Sequence, residues 1–390
     1  MDARKNLKTL AWFNFFTDFK LYAPVTIIYF SQITHSFALG MSIFSIANIA
    51  DALFEVPTGI LSDRVGRKNT VILGAFSAFL YSLFYALGQS YWILLVGAIF
   101  QGMSIAFYSG NNDALLHDSL KASKQEHRFH EHLGKLSSLF QAALAISAII
   151  GSFVASRSFA LVMWLSVIPQ LICILLSFQI VEPKIHVEKS ANIYIHTKEA
   201  LQLFFKNKKL RLLSIASSIG GATGEALFQF QSAFYNSLWP LWAIGIAKTL
   251  SYLGGTISFY FGGKIIDKLG DAKTLLWGSI VSKIVNGFST LFPTVASPLL
   301  MSGTSLTYGA TSVAKSSLYQ KEFSPHQRAT IGSLISLMES VFFAIYAFIL
   351  GLVGDYLTPA KALFLSQIVT LSVTYMYWLI FRDERKNITI

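Results

Sequence analysis

The sequence predicts an all-α membrane protein of twelve transmembrane helices in two pseudo-symmetric six-helix bundles. Three observations carry that prediction. Of 390 residues, 53% are hydrophobic and only 13% are charged, whereas a soluble domain carries about 25% charged residues. Apolar stretches of bilayer-spanning length, about 20 residues each, recur along the whole chain. Lys and Arg collect between alternate stretches. The same composition excludes disorder, collagen and a secreted disulfide scaffold. The single cysteine, Cys173, forbids an internal disulfide and a thiolate metal cluster.

The spans are expected near 9–33, 38–61, 70–88, 91–112, 134–155, 159–181, 210–234, 238–262, 273–293, 296–316, 328–353 and 360–381. They are apolar all round and too long for barrel strands, which marks them as helices. The first is not a cleaved signal, because it is too long and carries Asp18 and Lys20 at mid-span.

With the N-terminus inside, the inner segments hold Arg4, Lys5 and Lys8, then Arg64, Arg67 and Lys68, then Lys121, Lys124, Arg128 and Lys135. The pattern continues with Lys184 through Arg211, with Lys264, Lys268 and Lys273, with Lys315, Lys321 and Arg328, and with Arg382, Arg385 and Lys386. Only Arg157 and Lys361 fall in outer loops. This positive-inside asymmetry places both termini in the cytoplasm of a multi-pass protein of the cytoplasmic membrane. It also accounts for the net charge of +11 without nucleic acid.

The longest polar interruption, 182–209, is a cytoplasmic linker between an N-terminal bundle at 1–181 and a C-terminal bundle at 210–390. Within it Ala200, Leu201, Phe204 and Phe205 fall at helical spacing beside Lys206, Lys208 and Lys209. That pattern suits a segment lying on the anionic inner leaflet; a solvated tether is the alternative. An internal repeat supports the division. Gly59, Asp63, Arg64 and Gly66 recur at identical spacing as Gly263, Asp267, Lys268 and Gly270, each set at the inner end of the second helix of its half. Two related halves suggest a parallel repeat with a pathway between them.

The run Gly59-x-x-x-Asp63-Arg64-x-Gly66-Arg67-Lys68 resembles the loop signature of the major facilitator superfamily, between helices two and three as that family has it. Phe54-Glu55-Val56-Pro57-Thr58, and the stretch from Tyr108 to Leu120, resemble a bacterial branch of the superfamily with mostly unassigned substrates. Two features depart from its drug/proton antiporters. Ala98 stands where an Arg would precede Gln101-Gly102, and of the helix-five Gly-Pro pattern only Gly151-Ser152-Phe153 remains.

The resemblance implies a gating latch on the inner side. Gly59 would let two helix backbones approach. Asp63 would accept hydrogen bonds from a helix N-terminus of the other half, which the resemblance places near 328–331. Arg67 would pair with Asp113 or Asp118. Arg64, Gly66 and the second copy at Asp267 complete the set. The latch would break as the bundles rock. Ordinary surface ion pairs, each worth ~0–1 kcal/mol, are the alternative.

Charges at mid-bilayer need a partner or a wet cavity. Asn14 and Asp18 share one face of a continuous first helix, and Lys20 points off that face. In the superfamily helices one, four, seven and ten line the cavity. That implies Asp18 and Glu225 as its carboxylates, with Gln229 one turn beyond Glu225. Gln101, Tyr108, Tyr308, Lys283 and Glu339 join them as candidates, and Gly220 and Gly224 permit a close contact before Glu225. Desolvation favours the neutral form of a carboxyl group, so such a group can load a proton outside and release it inside. The alternative is a fixed counter-ion role toward Lys20, Lys248 or Lys283.

His127, His130 and His132 lie in a charged cytoplasmic loop that does not impose metal geometry. No phosphate loop, zincin motif or nucleophile elbow is present. The expectation is therefore a non-enzymatic secondary transporter without cofactor or metal. It would be a monomer in the lipid bilayer that moves a small-molecule substrate by alternating access, coupled to protons. The mixed polar and aromatic lining favours export of an amphipathic or zwitterionic compound. Import of a nutrient by symport or facilitation stays open, as does a receptor or scaffold without transport.

Overall fold

The computed structural model describes residues 3–122, 124–182, 207–322 and 325–388, together with Phe204. No strand occurs among them. The helices are α1 (Ala3–Asp18), α2 (Thr26–Thr34), α3 (Phe37–Val65), α4 (Arg67–Leu87), α5 (Tyr91–Tyr108), α6 (Asn111–Ala122), α7 (Phe129–Ala155) and α8 (Phe159–Gln179). The second half holds α9 (Lys208–Asn236), α10 (Leu241–Leu269), α11 (Asp271–Leu291), α12 (Ser297–Gly303), α13 (Ser305–Glu322), α14 (Pro325–Tyr356) and α15 (Pro359–Ile388).

Each expected span corresponds to one helix or to a broken pair. Among the described residues, seven helical stretches are long and apolar enough to cross a membrane by length and composition alone. The first span falls short because it is broken into two short helices, and the tenth because it is rich in Ser, Thr and charged side chains. The seventh to ninth are diluted by Ser, Gly, Thr and charged side chains. Pro24, which lacks an amide donor, sits in the break of the first span, whereas α3 and α8 continue through Pro57 and Pro169. The chain leaves α1 at Asp18, forms a 3-10 turn at Ala23–Val25 and restarts at Thr26. Clean helix starts are capped: Ser36, Ser90, Ser158 and Asn207 each accept a backbone N–H two or three residues into the following helix.

The chain divides into two compact units. One takes the N-terminal half together with Trp239–Thr249, and the other takes the rest of the C-terminal half. In the first, α4 and α5 pack closely and α3 lies along α5. Its core includes Leu10, Phe13, Val71, Ala75, Leu115 and Cys173. In the second, α9 packs on α14 and α11 on α15, around Leu213, Ala216, Leu275, Ala314, Leu318 and Tyr377. Large apolar side chains such as Leu53, Trp92, Ile284 and Phe288 remain exposed, as suits surfaces solvated by lipid.

The amphipathic segment expected near 200–205 lies outside the described residues except for Phe204, which is buried.

Candidate functional site

The repeated loop is built identically in both halves. Gly66 sits at φ +88°, ψ 157°, and Gly270 at φ +80°, ψ 158°, a conformation essentially confined to glycine. Each glycine ends one helix and caps the next. Gly66 N–H donates to Ser62 O at 3.0 Å, and Gly270 N–H to Ile266 O at 2.7 Å. Four residues on, Thr70 Oγ1 donates to Gly66 O at 2.9 Å and Thr274 Oγ1 to Gly270 O at 2.8 Å. The repeat legible in the sequence is thus a repeat of backbone geometry.

The first residue after each glycine carries a charge, and the two charges are opposite. Arg67 Nη1 lies 2.6 Å from Asp118 Oδ2 of α6. Asp271 Oδ2 lies 2.5 Å from Lys321 Nζ near the end of α13. Of the two carboxylates offered to Arg67 by the sequence, the structure selects Asp118, which is buried. Asp113 is exposed in the first turn of α6.

Further contacts hold the two loops and their neighbouring helix ends. Glu182 accepts Arg67 N–H at 3.0 Å through Oε1 and Lys68 N–H at 2.5 Å through Oε2, capping the positive end of α4. Lys68 Nζ donates to Phe178 O at 3.1 Å. Asn6 bridges Ser119 and the backbone of Val181. In the second unit, Glu322 receives Lys209 Nζ at 2.9 Å and Asn207 Nδ2 at 2.9 Å. Sequence reasoning missed Glu182, Asp271, Lys321 and Glu322. The charge at Asp271 was visible in the repeat, but only a fold shows its partner.

Four expected members of the set are placed differently. Gly59 makes no close helix contact, since a Cβ there would meet nothing within 4 Å; the glycine the loop needs is Gly66. Asp63, Arg64 and Asp267 are exposed and make no ion pair among the described residues. The partner expected for Asp63 near 328–331 falls on residues whose side chains lie outside those described.

Within the membrane part of the first unit, Asp18 and Lys20 form a pair at 3.7 Å. A continuous helix would have separated them. Because α1 ends at Asp18, Lys20 N–H instead donates to Asp18 O at 2.9 Å and its side chain turns back. Tyr81 lies within electrostatic reach of the Lys20 ammonium. Asn14 donates to Leu10 O of its own helix at 2.9 Å. Gln101 accepts Tyr85 Oη at 2.6 Å. Tyr108 packs edge-on against Phe13 with ring centroids 5.5 Å apart.

In the second unit, Glu225 accepts Gln229 Nε2 at 2.7 Å on an exposed face of α9. Glu339 of α14 lies against the bare backbone of α9 at Gly221, where a Cβ would collide with its carboxylate. Gly221, rather than Gly220 or Gly224, makes the close approach there. Glu225, together with Lys315 and Tyr308 of α13, lies within electrostatic reach. Glu339 makes no ion pair within 4 Å among the described residues. Lys283 is half-buried in α11. The second unit therefore gathers Glu225, Tyr308 and Glu339, whereas the first neutralises Asp18 internally.

The chain is 28% identical over 176 residues to the uncharacterized transporter BU466 of Buchnera aphidicola, covering 45% of this chain and 43% of that protein. It thus spans less than half the length of that relative. It is 24% identical over 245 residues to multidrug resistance protein 2 of Bacillus subtilis, covering 59% of this chain and 60% of that protein. The crystal structure of the nucleoside transporter NupG superposes with a TM-score of 0.81 over 98% of this chain and 99% of that one, at 14% identity. That likeness carries the fold. The family model of the Major Facilitator Superfamily matches residues 9–347, and the chain belongs to that superfamily.

Proposed function

We propose that the protein is a proton-coupled exporter of an amphipathic or zwitterionic small solute, working by alternating access as a monomer in the cytoplasmic membrane with both termini inside. The bundles at 1–181 and 210–390, joined by the linker at 182–209, act as the two moving bodies. Proton coupling resides in the second bundle. The observation that carries this reading is Glu339, a membrane-embedded carboxylate that lies on bare backbone at Gly221 without an ion-pair partner among the described residues. Glu225, Lys315 and Tyr308 stand close enough to sense its charge. A carboxyl group so placed can exchange a proton without first breaking a salt bridge, because desolvation opposes its charged form. Asp18 lacks that freedom, being tied to Lys20.

Glu225, exposed beside Gln229, is the group that meets the polar or cationic end of a solute. Its mixed surroundings of carboxylate, ammonium and phenol suit a zwitterion or an amphipathic amine. The likeness to a multidrug resistance protein supports export. The inner latch is Arg67–Asp118, positioned by Glu182; Asp63 and Asp267, exposed and without an ion pair among the described residues, would meet partners during the transport cycle.

The test is proton flux in proteoliposomes driven by a panel of amphipathic amines and zwitterions, with wild type compared with Glu225→Gln. Solute-driven proton movement is expected in the wild type, with weakened solute affinity in the variant. Solute movement without proton movement would overturn the coupling.

A further inference from the structure

His117 precedes Asp118 on α6 and offers both ring nitrogens to carboxylates. Nδ1 lies 3.4 Å from Asp118 Oδ1, and Nε2 lies 3.2 Å from Glu126 Oε1. A neutral imidazole has one N–H and one lone pair. Opposite two carboxylates it would satisfy one and turn a lone pair on the other. Only the imidazolium donates to both. The second oxygen of Asp118 is meanwhile taken by Arg67 at 2.6 Å. Asp118 is thus divided oxygen by oxygen between a permanent cation and a titratable one. The ring of Phe129 closes edge-on over His117 with centroids 5.4 Å apart.

We propose that His117, as the imidazolium, is a positioning residue of the inner latch, holding Asp118 in register for Arg67 and tying α6 to the turn at Glu126–Arg128, so that a rise in cytoplasmic pH loosens the latch. The proposal rests on reading Arg67–Asp118 as that latch. Histidine is the side chain whose ordinary titration falls between about pH 5 and 8. With His117 charged, Asp118 and Glu126 are both compensated. Once it is neutral, one carboxylate loses its donor, and α6 is released from the turn or from Arg67.

The neighbouring charges do not supply the same response. Asp113 and Lys121 flank His117 on α6, Lys8 stands on α1 and Arg67 on α4. His127 and Arg128 belong to the turn, and Glu131, His132 and Lys135 to α7. Hydrogen bonds from Arg128 and then Lys135 hold the Glu131 carboxyl down to about 2, so it stays ionised throughout the histidine range. Burial first, then Lys135 and Arg128, push His132 below the usual histidine value.

The test uses the full chain in lipid nanodiscs and needs no solute. Histidine-selective nitrogen NMR identifies the His117 resonance by its loss in His117→Asn. Its titration midpoint is expected to fall by half a unit or more in Asp118→Asn and again in Glu126→Gln. Amide hydrogen exchange of residues 111–122, corrected for intrinsic rate, is expected to accelerate several-fold from pH 6 to pH 8 in the wild type. In His117→Asn it is expected to be equally fast at both. A midpoint unmoved by Asp118→Asn, or an exchange profile in His117→Asn that keeps the wild-type pH dependence, overturns the proposal. Failure of the latch itself would show separately, as normal transport by Asp118→Asn.

Discussion

Arg67 and Asp118 meet at 2.6 Å at the repeated loop of the first half, and the same position of the repeat in the second half holds the reverse pair, Asp271 with Lys321 at 2.5 Å. The pairing has been kept while the signs have exchanged. A contact valued for its charge pattern toward a third group would not survive that exchange. What survives is the mutual attraction that pins each loop to the inner end of its neighbour. Asp118→Asn removes the negative member of the ion pair with Arg67 and is expected to slow transport about tenfold while membrane insertion stays normal. The double exchange Asp271→Lys with Lys321→Asp should restore most of what Asp271→Lys alone loses. Transport rates of the single and double variants, compared as a cycle, check this.

Gly270 offers a clean test of the loop backbone. Its φ of +80° with ψ 158° is open only to glycine, and a Cβ there would meet no neighbour. Gly270→Ala is therefore expected to destabilise the second bundle by about 1–3 kcal/mol through backbone strain alone. Gly66→Ala adds contact with the Glu182 carboxylate and should cost at least as much. Denaturation of the purified variants measures both.

Glu182 binds two backbone amides of α4 at once. Its loss in Glu182→Ala is expected to cost about 1 kcal/mol, the usual worth of a helix N-cap. If it acts by positioning Arg67, the transport defect of Glu182→Ala with Asp118→Asn will be no larger than that of Asp118→Asn alone. Additive defects would show that Glu182 acts elsewhere.

The spans and the repeat were legible in the sequence because both follow from local signals: apolar runs, loop charges, and a glycine that only one backbone conformation requires. The break in the first span had a signal too, Pro24, but a long apolar stretch hides it. That oversight moved Lys20 off Asp18, and with it the balance between Asp18 and Glu339. The partners of Arg67, Asp271 and Glu322 depend on which helix ends meet, and spacing along the chain does not encode that.

Asp18 and Lys20 form a pair inside the membrane part of the fold. Removing one member leaves an uncompensated charge in the membrane part of the fold, which is costly. Asp18→Asn is expected to lower the amount of folded protein sharply, and Lys20→Met added to it should recover the yield. Fluorescence-detected size-exclusion of the two variants decides between a structural pair and a free proton carrier at Asp18.

The central claim is that Glu339 carries the coupled proton. The most direct measurement is solute-driven proton flux in proteoliposomes containing Glu339→Gln, beside passive counterflow of the same solute. Proton flux is expected to vanish while counterflow persists within about threefold of wild type. Undiminished proton flux in Glu339→Gln would contradict the claim.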